Sequence, residues 1–209
     1  MAGFRRASPF FTLIVRLSTP LVRGLLRLRA SGLENVPREG GFVIASNHVS
    51  NLDPWAVGYP LYPRQVHFMA KAELYKNPVL AWLLDKGGSF PVRRGERDSH
   101  AYKTAVRLAR EGGVVAMFPE GTRRAKGLRK KHQATPHSGA ARIALAAGVP
   151  LVPAAVVGTD ELSRFPVVRV AYGAPISMNG DGTRRTASRE ATVRLMAEID
   201  RLEQELRAT

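Results

Sequence analysis

Six short apolar runs constrain this chain most: residues 41–46 (GFVIAS), 66–70 (VHFMA), 89–92 (SFPV), 114–118 (VVAMF), 151–157 (LVPAAVV) and 168–172 (VRVAY). The main runs are continuously apolar and do not alternate with polar residues, as strands buried on both faces require. Between them lie stretches that read as helices, 54–59, 78–86, 99–111 and 139–147. A closing helix over 186–207 carries Leu195, Ile199, Leu202 and Leu206 as one stripe. Strands of this kind separated by helices predict an α/β fold, a largely parallel central sheet flanked by helices. The 209 residues suffice for one domain with a proper core.

The first thirty residues read differently. ASPFFTLIVRLSTPLVRGLLRLRA is apolar but broken by Arg16, Arg23, Arg27 and Arg29. A spanning helix needs about 20 mostly apolar residues, and these arginines divide the run. Arg16 also cuts short any signal-peptide core, and no small-residue cleavage site follows. Ser8-Pro9 and Thr19-Pro20 each resemble a cap followed by proline at the first helical position. The segment therefore predicts two short helices, or one kinked at Pro20. Arg23 and Arg27 share one face, and Leu21, Val22, Leu25, Leu26 and Leu28 fill most of the rest. We expect residues 1–30 to be an N-terminal amphipathic membrane-binding segment and 31–209 the catalytic domain. The alternative is an ordinary amphipathic helix covering its own core.

Charge and cysteine content narrow the chemistry. Lys and Arg number 32 against 17 Asp and Glu, a formal charge of +15, which calls for an anionic partner. Much of that charge lies in the RRAKGLRKKH stretch of a loop expected over 121–138. The absence of cysteine excludes a disulfide scaffold, a thiolate metal site and a cysteine nucleophile.

In open parallel sheets ligands bind beyond the carboxyl ends of the strands. Three such ends carry polar chemistry: Asn47-His48-Val49-Ser50-Asn51-Leu52-Asp53, then Arg93-Arg94-Gly95, then Pro119-Glu120-Gly121-Thr122-Arg123. A neutral imidazole is a suitable base for a hydroxyl, best when a carboxylate holds its other ring nitrogen. His48 and Asp53 would stand about 140° apart on a regular helix, so their contact requires a turn, which Asn47, Ser50 and Pro54 favour. Asp53 before Pro54 is equally a good helix cap, and the two roles are compatible. Arginine forks suit phosphate, and Gly121 and Thr122 can offer backbone and hydroxyl groups to an anion. Taken alone, Arg93-Arg94 is also an ordinary solvated turn. No Walker or G-x-G-x-x-G pattern occurs.

Together these residues resemble the glycerolipid acyltransferase family, which includes the 1-acyl-glycerol-3-phosphate acyltransferases. Asn47, His48, Ser50 and Asp53 match its N-H-x-S-x-x-D motif. Pro91, Val92, Arg93 and Arg94 fit the second, with Arg94 at its arginine. Phe118 to Arg123 match F-P-E-G-T-R, and Val149 to Pro153 match V-P-apolar-apolar-P. The resemblance spans roughly residues 30–175, in order.

It implies that His48 is the general base and Asp53 orients it. Asn47, Ser50, Arg94, Glu120, Gly121, Thr122 and Arg123 would bind substrate, Glu120 by ordering its loop. The implied reaction moves a fatty acyl group from acyl coenzyme A or acyl carrier protein to a lysophospholipid hydroxyl. The first expected acceptor is 1-acyl-glycerol-3-phosphate, giving phosphatidic acid. No cofactor and no metal is expected, the thioester being a co-substrate. The expected partners are the anionic membrane surface, the lysophospholipid and the donor, with no nucleic acid. The expected place is the cytoplasmic face of a membrane, peripheral or monotopic. One departure is His137, which stands near where relatives carry a lysine, and it leaves the head group open. Another lysolipid or glycerol-3-phosphate is the alternative acceptor. A hydrolase has little support without a G-x-S-x-G elbow, as does a basic nucleic-acid binder without aromatics in RRAKGLRKKH.

Overall fold

The computed structural model describes residues 3–93, 95–96, 98–121, 136–161, 165, 167–178 and 183–209. Its strands are β1 (Arg29–Ser31), β2 (Phe42–Ser46), β3 (Val66–Lys71), β4 (Phe90–Val92), β5 (Val114–Met117), β6 (Leu151–Val157) and β7 (Arg169–Tyr172). Its helices are α1 (Pro9–Gly24), α2 (Asp53–Gly58), α3 (Pro78–Lys86), α4 (Ser99–Arg110), α5 (Gly139–Ala147) and α6 (Arg184–Ala208). The strands form one sheet in the order β1-β7-β6-β2-β5-β3-β4, parallel throughout except for the β6–β7 pair.

The apolar runs fill both sides of that sheet. Val43 and Ala45 of β2 face a core shared with α4, α5 and α6, while Phe42 and Ile44 face one shared with α2. All seven residues of β6 are buried. Pro153 is tolerated inside β6 because its nitrogen faces the end of β7. There the pairing reduces to a single bond, Gly173 N–H to the Pro153 carbonyl at 2.9 Å, and the full ladder starts at Ala154–Tyr172. The chain leaves β2 through α2 on one face and leaves the adjacent β5 through α5 on the other. Helices departing to opposite faces open a crevice at the carboxyl ends of β2 and β5.

The amino-terminal segment is one helix. Ser8 caps it, accepting the Phe11 N–H at 3.1 Å. Thr19 does not start a second helix. Its hydroxyl donates to the Val15 carbonyl at 2.8 Å and meets the Tyr59 hydroxyl at 2.9 Å. Pro20 sits inside the helix on its exposed side, where water can satisfy the carbonyl that lost its partner. Phe11, Val15 and Val22 are buried against the domain.

β1 carries no apolar signal, since Arg29, Ala30 and Ser31 are all exposed and pair with β7 through backbone alone. Gly41, just before β2, is the tightest joint. A Cβ there would lie 1.9 Å from the Ala109 carbonyl oxygen and 2.7 Å from that of Gly113. Gly24 at the end of α1 has open space around it. Gly41→Ala is therefore expected to cost at least about 2 kcal/mol, the scale of forced overpacking. Gly24→Ala is expected to be neutral or to stabilise slightly. Thermal unfolding of the two variants beside the parent checks the contrast.

Candidate active site

The crevice is built from the end of β2 outward. β2 stops pairing by backbone at Ser46–Ala154, and the Asn47 side chain takes over. Its amide donates to the Val156 carbonyl at 2.9 Å and accepts the Val156 N–H at 2.8 Å, as another peptide unit would. The backbone is thereby released to turn at His48. Ser50 shapes the turn, its hydroxyl accepting the Leu52 N–H at 3.3 Å and its carbonyl the Asp53 N–H at 3.3 Å.

Asp53 is the first residue of α2 and is fully buried. It does not cap the helix, for Leu52 occupies the cap position without a side-chain bond. Its carboxylate points back into the loop. Oδ2 lies 2.8 Å from His48 Nδ1 and accepts the N–H groups of Val49 at 2.6 Å and Ser50 at 2.7 Å. Oδ1 accepts the Thr159 hydroxyl at 2.5 Å. A buried carboxylate without partners would cost several kcal/mol. Four hydrogen bonds to a charged acceptor, about 1.5–3 kcal/mol each, can offset that.

A carboxylate can only accept, so Nδ1 of His48 donates, and the tautomer puts the lone pair on Nε2. Nε2 makes no hydrogen bond among the described residues. The imidazole is stacked on Phe118, with centroids 4.2 Å apart and planes at 21°. Phe118 comes from the end of the adjacent β5 and fixes the ring plane. The arrangement supplies an oriented base with one free nitrogen at the sheet's rim.

Phe118 also begins the next turn, its carbonyl accepting the Gly121 N–H at 2.9 Å across Pro119 and Glu120. Gly121 has φ +68°, a value suited to glycine. Past residues 122–135 the chain returns, and the His137 N–H donates to the Pro119 carbonyl at 2.9 Å. The His137 ring lies against Gly121, with ring atoms 3.1 and 3.2 Å from where a Cβ would stand. His137 is thus seated on the Pro-Glu-Gly turn.

Arg94, Thr122, Arg123 and the RRAKGLRKKH stretch fall outside the described residues. Arg93 is a charged turn residue, its N–H on Asp98 Oδ2 at 3.0 Å and its guanidinium 3.8 Å from Glu96 and Asp98. Among the described residues no group of three His, Cys, Asp or Glu could hold a metal ion. Across the sheet end from His48, a groove of about 1360 Å³ opens over Met69, Val92 and Met117, rimmed by Arg142, Arg184 and Arg189. It includes Met117, the chain neighbour of the imidazole's stacking partner Phe118.

Two residues here lie outside the sequence reading of the site. Phe118 stood in the third motif without a role. Thr159 follows Gly158, whose φ of +86° turns the chain back from β6. The strand-end rule, applied to residues 151–157, would have pointed to it.

The chain is similar to known proteins over much of its length. The family model described as Acyltransferase matches residues 27–157. The 1-acyl-sn-glycerol-3-phosphate acyltransferase of Bacillus subtilis is 36% identical over 146 residues, covering 68% of this chain and 70% of that protein. The protein of the same name from Streptococcus pneumoniae is 26% identical, covering 82% of this chain and 64% of its own length. The crystal structure of the 1-acyl-sn-glycerophosphate acyltransferase PlsC from Thermotoga maritima superposes with a TM-score of 0.65 at 23% identity, over 92% of this chain and 79% of that one. This chain, with its histidine and aspartate joined at the end of β2 inside the matched region, belongs to the acyltransferase family.

Proposed function

We propose that the protein acylates 1-acyl-sn-glycerol-3-phosphate, giving phosphatidic acid for phospholipid synthesis. The observation that carries this reading is the 2.8 Å contact of His48 Nδ1 with a fully buried Asp53, in a chain of this family. The names of the Bacillus subtilis and Streptococcus pneumoniae relatives supply the acceptor.

In the proposed step, Nε2 of His48 takes the proton of the acceptor's free hydroxyl as its oxygen attacks the thioester carbonyl carbon. Asp53 stabilises the imidazolium that forms. Collapse of the tetrahedral intermediate breaks the C–S bond, and the imidazolium returns its proton to the leaving thiolate. Hydroxyl proton and thiol proton balance, and the enzyme is regenerated without a covalent intermediate. Glu120 and Gly121 present the turn to the acceptor's phosphate, together with Arg94, Thr122 and Arg123. His137, seated on that turn, stands where it can sense the head group. Asn47 and Ser50 serve the site by shaping the loop that carries His48. The donor is acyl coenzyme A or acyl carrier protein; the arginine-rimmed apolar groove suits an acyl chain on an anionic carrier. The protein would work at the cytoplasmic face of a membrane, held peripherally through α1. Among the described residues no helix is long and apolar enough to cross one.

Acyl transfer to lysophosphatidic acid, measured with each donor, tests the reading. Wild type is expected to form phosphatidic acid, and His48→Ala to lose at least about 100-fold, the scale of general-base catalysis. Activity unchanged in His48→Ala would sink the mechanism; a wild type inactive with both donors would sink the acceptor.

Thr159 is a positioning residue in this scheme. Thr159→Val keeps the shape but leaves Oδ1 of Asp53 without its donor. We expect a loss of about tenfold in kcat with KM little changed, and rescue by Thr159→Ser. Equal kcat in Thr159→Val would show that the hydroxyl is not needed to hold Asp53.

A further inference from the structure

Nine of the thirteen large apolar side chains exposed among the described residues fall in two places. Five lie on or just after α1, and four on the β3–β4 crossover, the segment of a 3-10 turn (Ala72–Lys76) and α3. α1 is apolar on two faces. Phe11, Val15 and Val22 face the core, while Leu13, Leu17 and Leu21, spaced four apart, face out with exposures of 51, 70 and 52%. Four-residue spacing keeps those three within about 80° of one another.

α3 is more unusual. Its sequence is PVLAWLLDK, and none of its residues is buried. Val79, Trp82 and Leu83 stand 67, 52 and 42% exposed. A helix this apolar normally hides one face in its own domain. The two patches are joined, since the Phe10 ring of α1 meets the Trp82 ring edge-on at 5.3 Å. A continuous exposed apolar surface on a monomer marks an interaction site.

We infer that α1 and α3 together form the surface that enters a lipid leaflet, with Trp82 of α3 as its second anchor beside α1. This rests on the proposed lysophospholipid acceptor, whose acyl chain lies in such a leaflet, and extends the membrane contact beyond the first thirty residues. Three observations favour lipid as the occupant. Arg16 and Arg23 run along one side of the outer stripe of α1, and Lys76 and Lys86 border α3, so the rim is mainly basic although Asp85 lies on α3 and Glu73, paired with Lys71 at 3.2 Å, lies on the turn before it. An anionic leaflet complements that rim. A second copy of a chain carrying +15 would instead set like charges against each other. The crossover also springs from the carboxyl end of β3, on the same rim as the ends of β2 and β5. α1 touches the turn following α2 through Thr19 and Tyr59. The apolar surface therefore borders the crevice.

The chain has two tryptophans, Trp55 and Trp82, so Trp55→Phe leaves Trp82 as the sole indole reporter. Vesicles of phosphatidylcholine and phosphatidylglycerol are the probe, with and without bromine on the acyl chains. Trp82 emission is expected to shift to the blue on binding and to be quenched by the brominated lipid. Trp82→Asp, at an exposed site whose folding is checked by thermal unfolding, is expected to lower vesicle partitioning roughly tenfold or more. Retained vesicle binding with Trp82 still in water, and no loss in Trp82→Asp, would overturn the inference while leaving contact through α1 intact. Failure of the wild type to bind vesicles at all would overturn it together with the membrane reading. A blue shift that follows protein concentration without lipid, with a dimer in sedimentation, would assign the surface to a second copy instead.

Discussion

The carboxylate of Asp53 is the fixed point of the molecule's working end. It is fully buried, so the hydrogen bonds that surround it are obligatory. Those bonds gather three separate pieces of chain: the loop after β2 through His48, Val49 and Ser50, the start of α2, and the turn after β6 through Thr159. The imidazole is then held from two sides, by the carboxylate in its plane and by Phe118 against its face. The orientation of the base thus follows from satisfying a buried charge. Asn47 is the companion device, since its amide continues the β2–β6 ladder by side chain and frees the backbone to turn.

Much of this was legible in the sequence, for definite reasons. β2 and β6 are buried on both faces, so their continuous apolar runs marked them almost to the residue. The strand-end rule located His48 and Asp53, and the motif order made their pairing an expectation. What escaped has physical causes. β1 is three exposed residues held by backbone pairing, which leaves no apolar trace. Thr19-Pro20 carries the signal of a helix start and left two helices or one open; Thr19 spends its hydroxyl on Val15 and Tyr59, and the single helix continues. The antiparallel return of β7 follows from the connection between Val157 and Arg169, which is shorter than the crossover of a dozen or more residues that a parallel return needs. Thr159 escaped because a threonine after a strand has many uses, and only the folded chain brings it to Asp53.

The helix α1 carries features of both readings that competed in the sequence. As an ordinary amphipathic helix it should cover the core, and Phe11, Val15 and Val22 do so. As a membrane-interface helix it should present leucines outward, and Leu13, Leu17 and Leu21 do that. Sixteen residues whose polar side chains, Ser18 apart, gather on one strip can serve both ends.

The bonds at Asn47 and Asp53 join residues separated by 109 and 106 positions along the chain. The motif carrying the base is made early in synthesis, but its geometry is completed only by Val156 near the end of β6 and Thr159 just past it. A nascent chain stopped before Val156 has the histidine and the aspartate without the strand that orders their loop. Long-range closure of this kind is entropically late in folding. Competence for chemistry therefore arrives as a single late event, when the last third of the chain docks on the sheet.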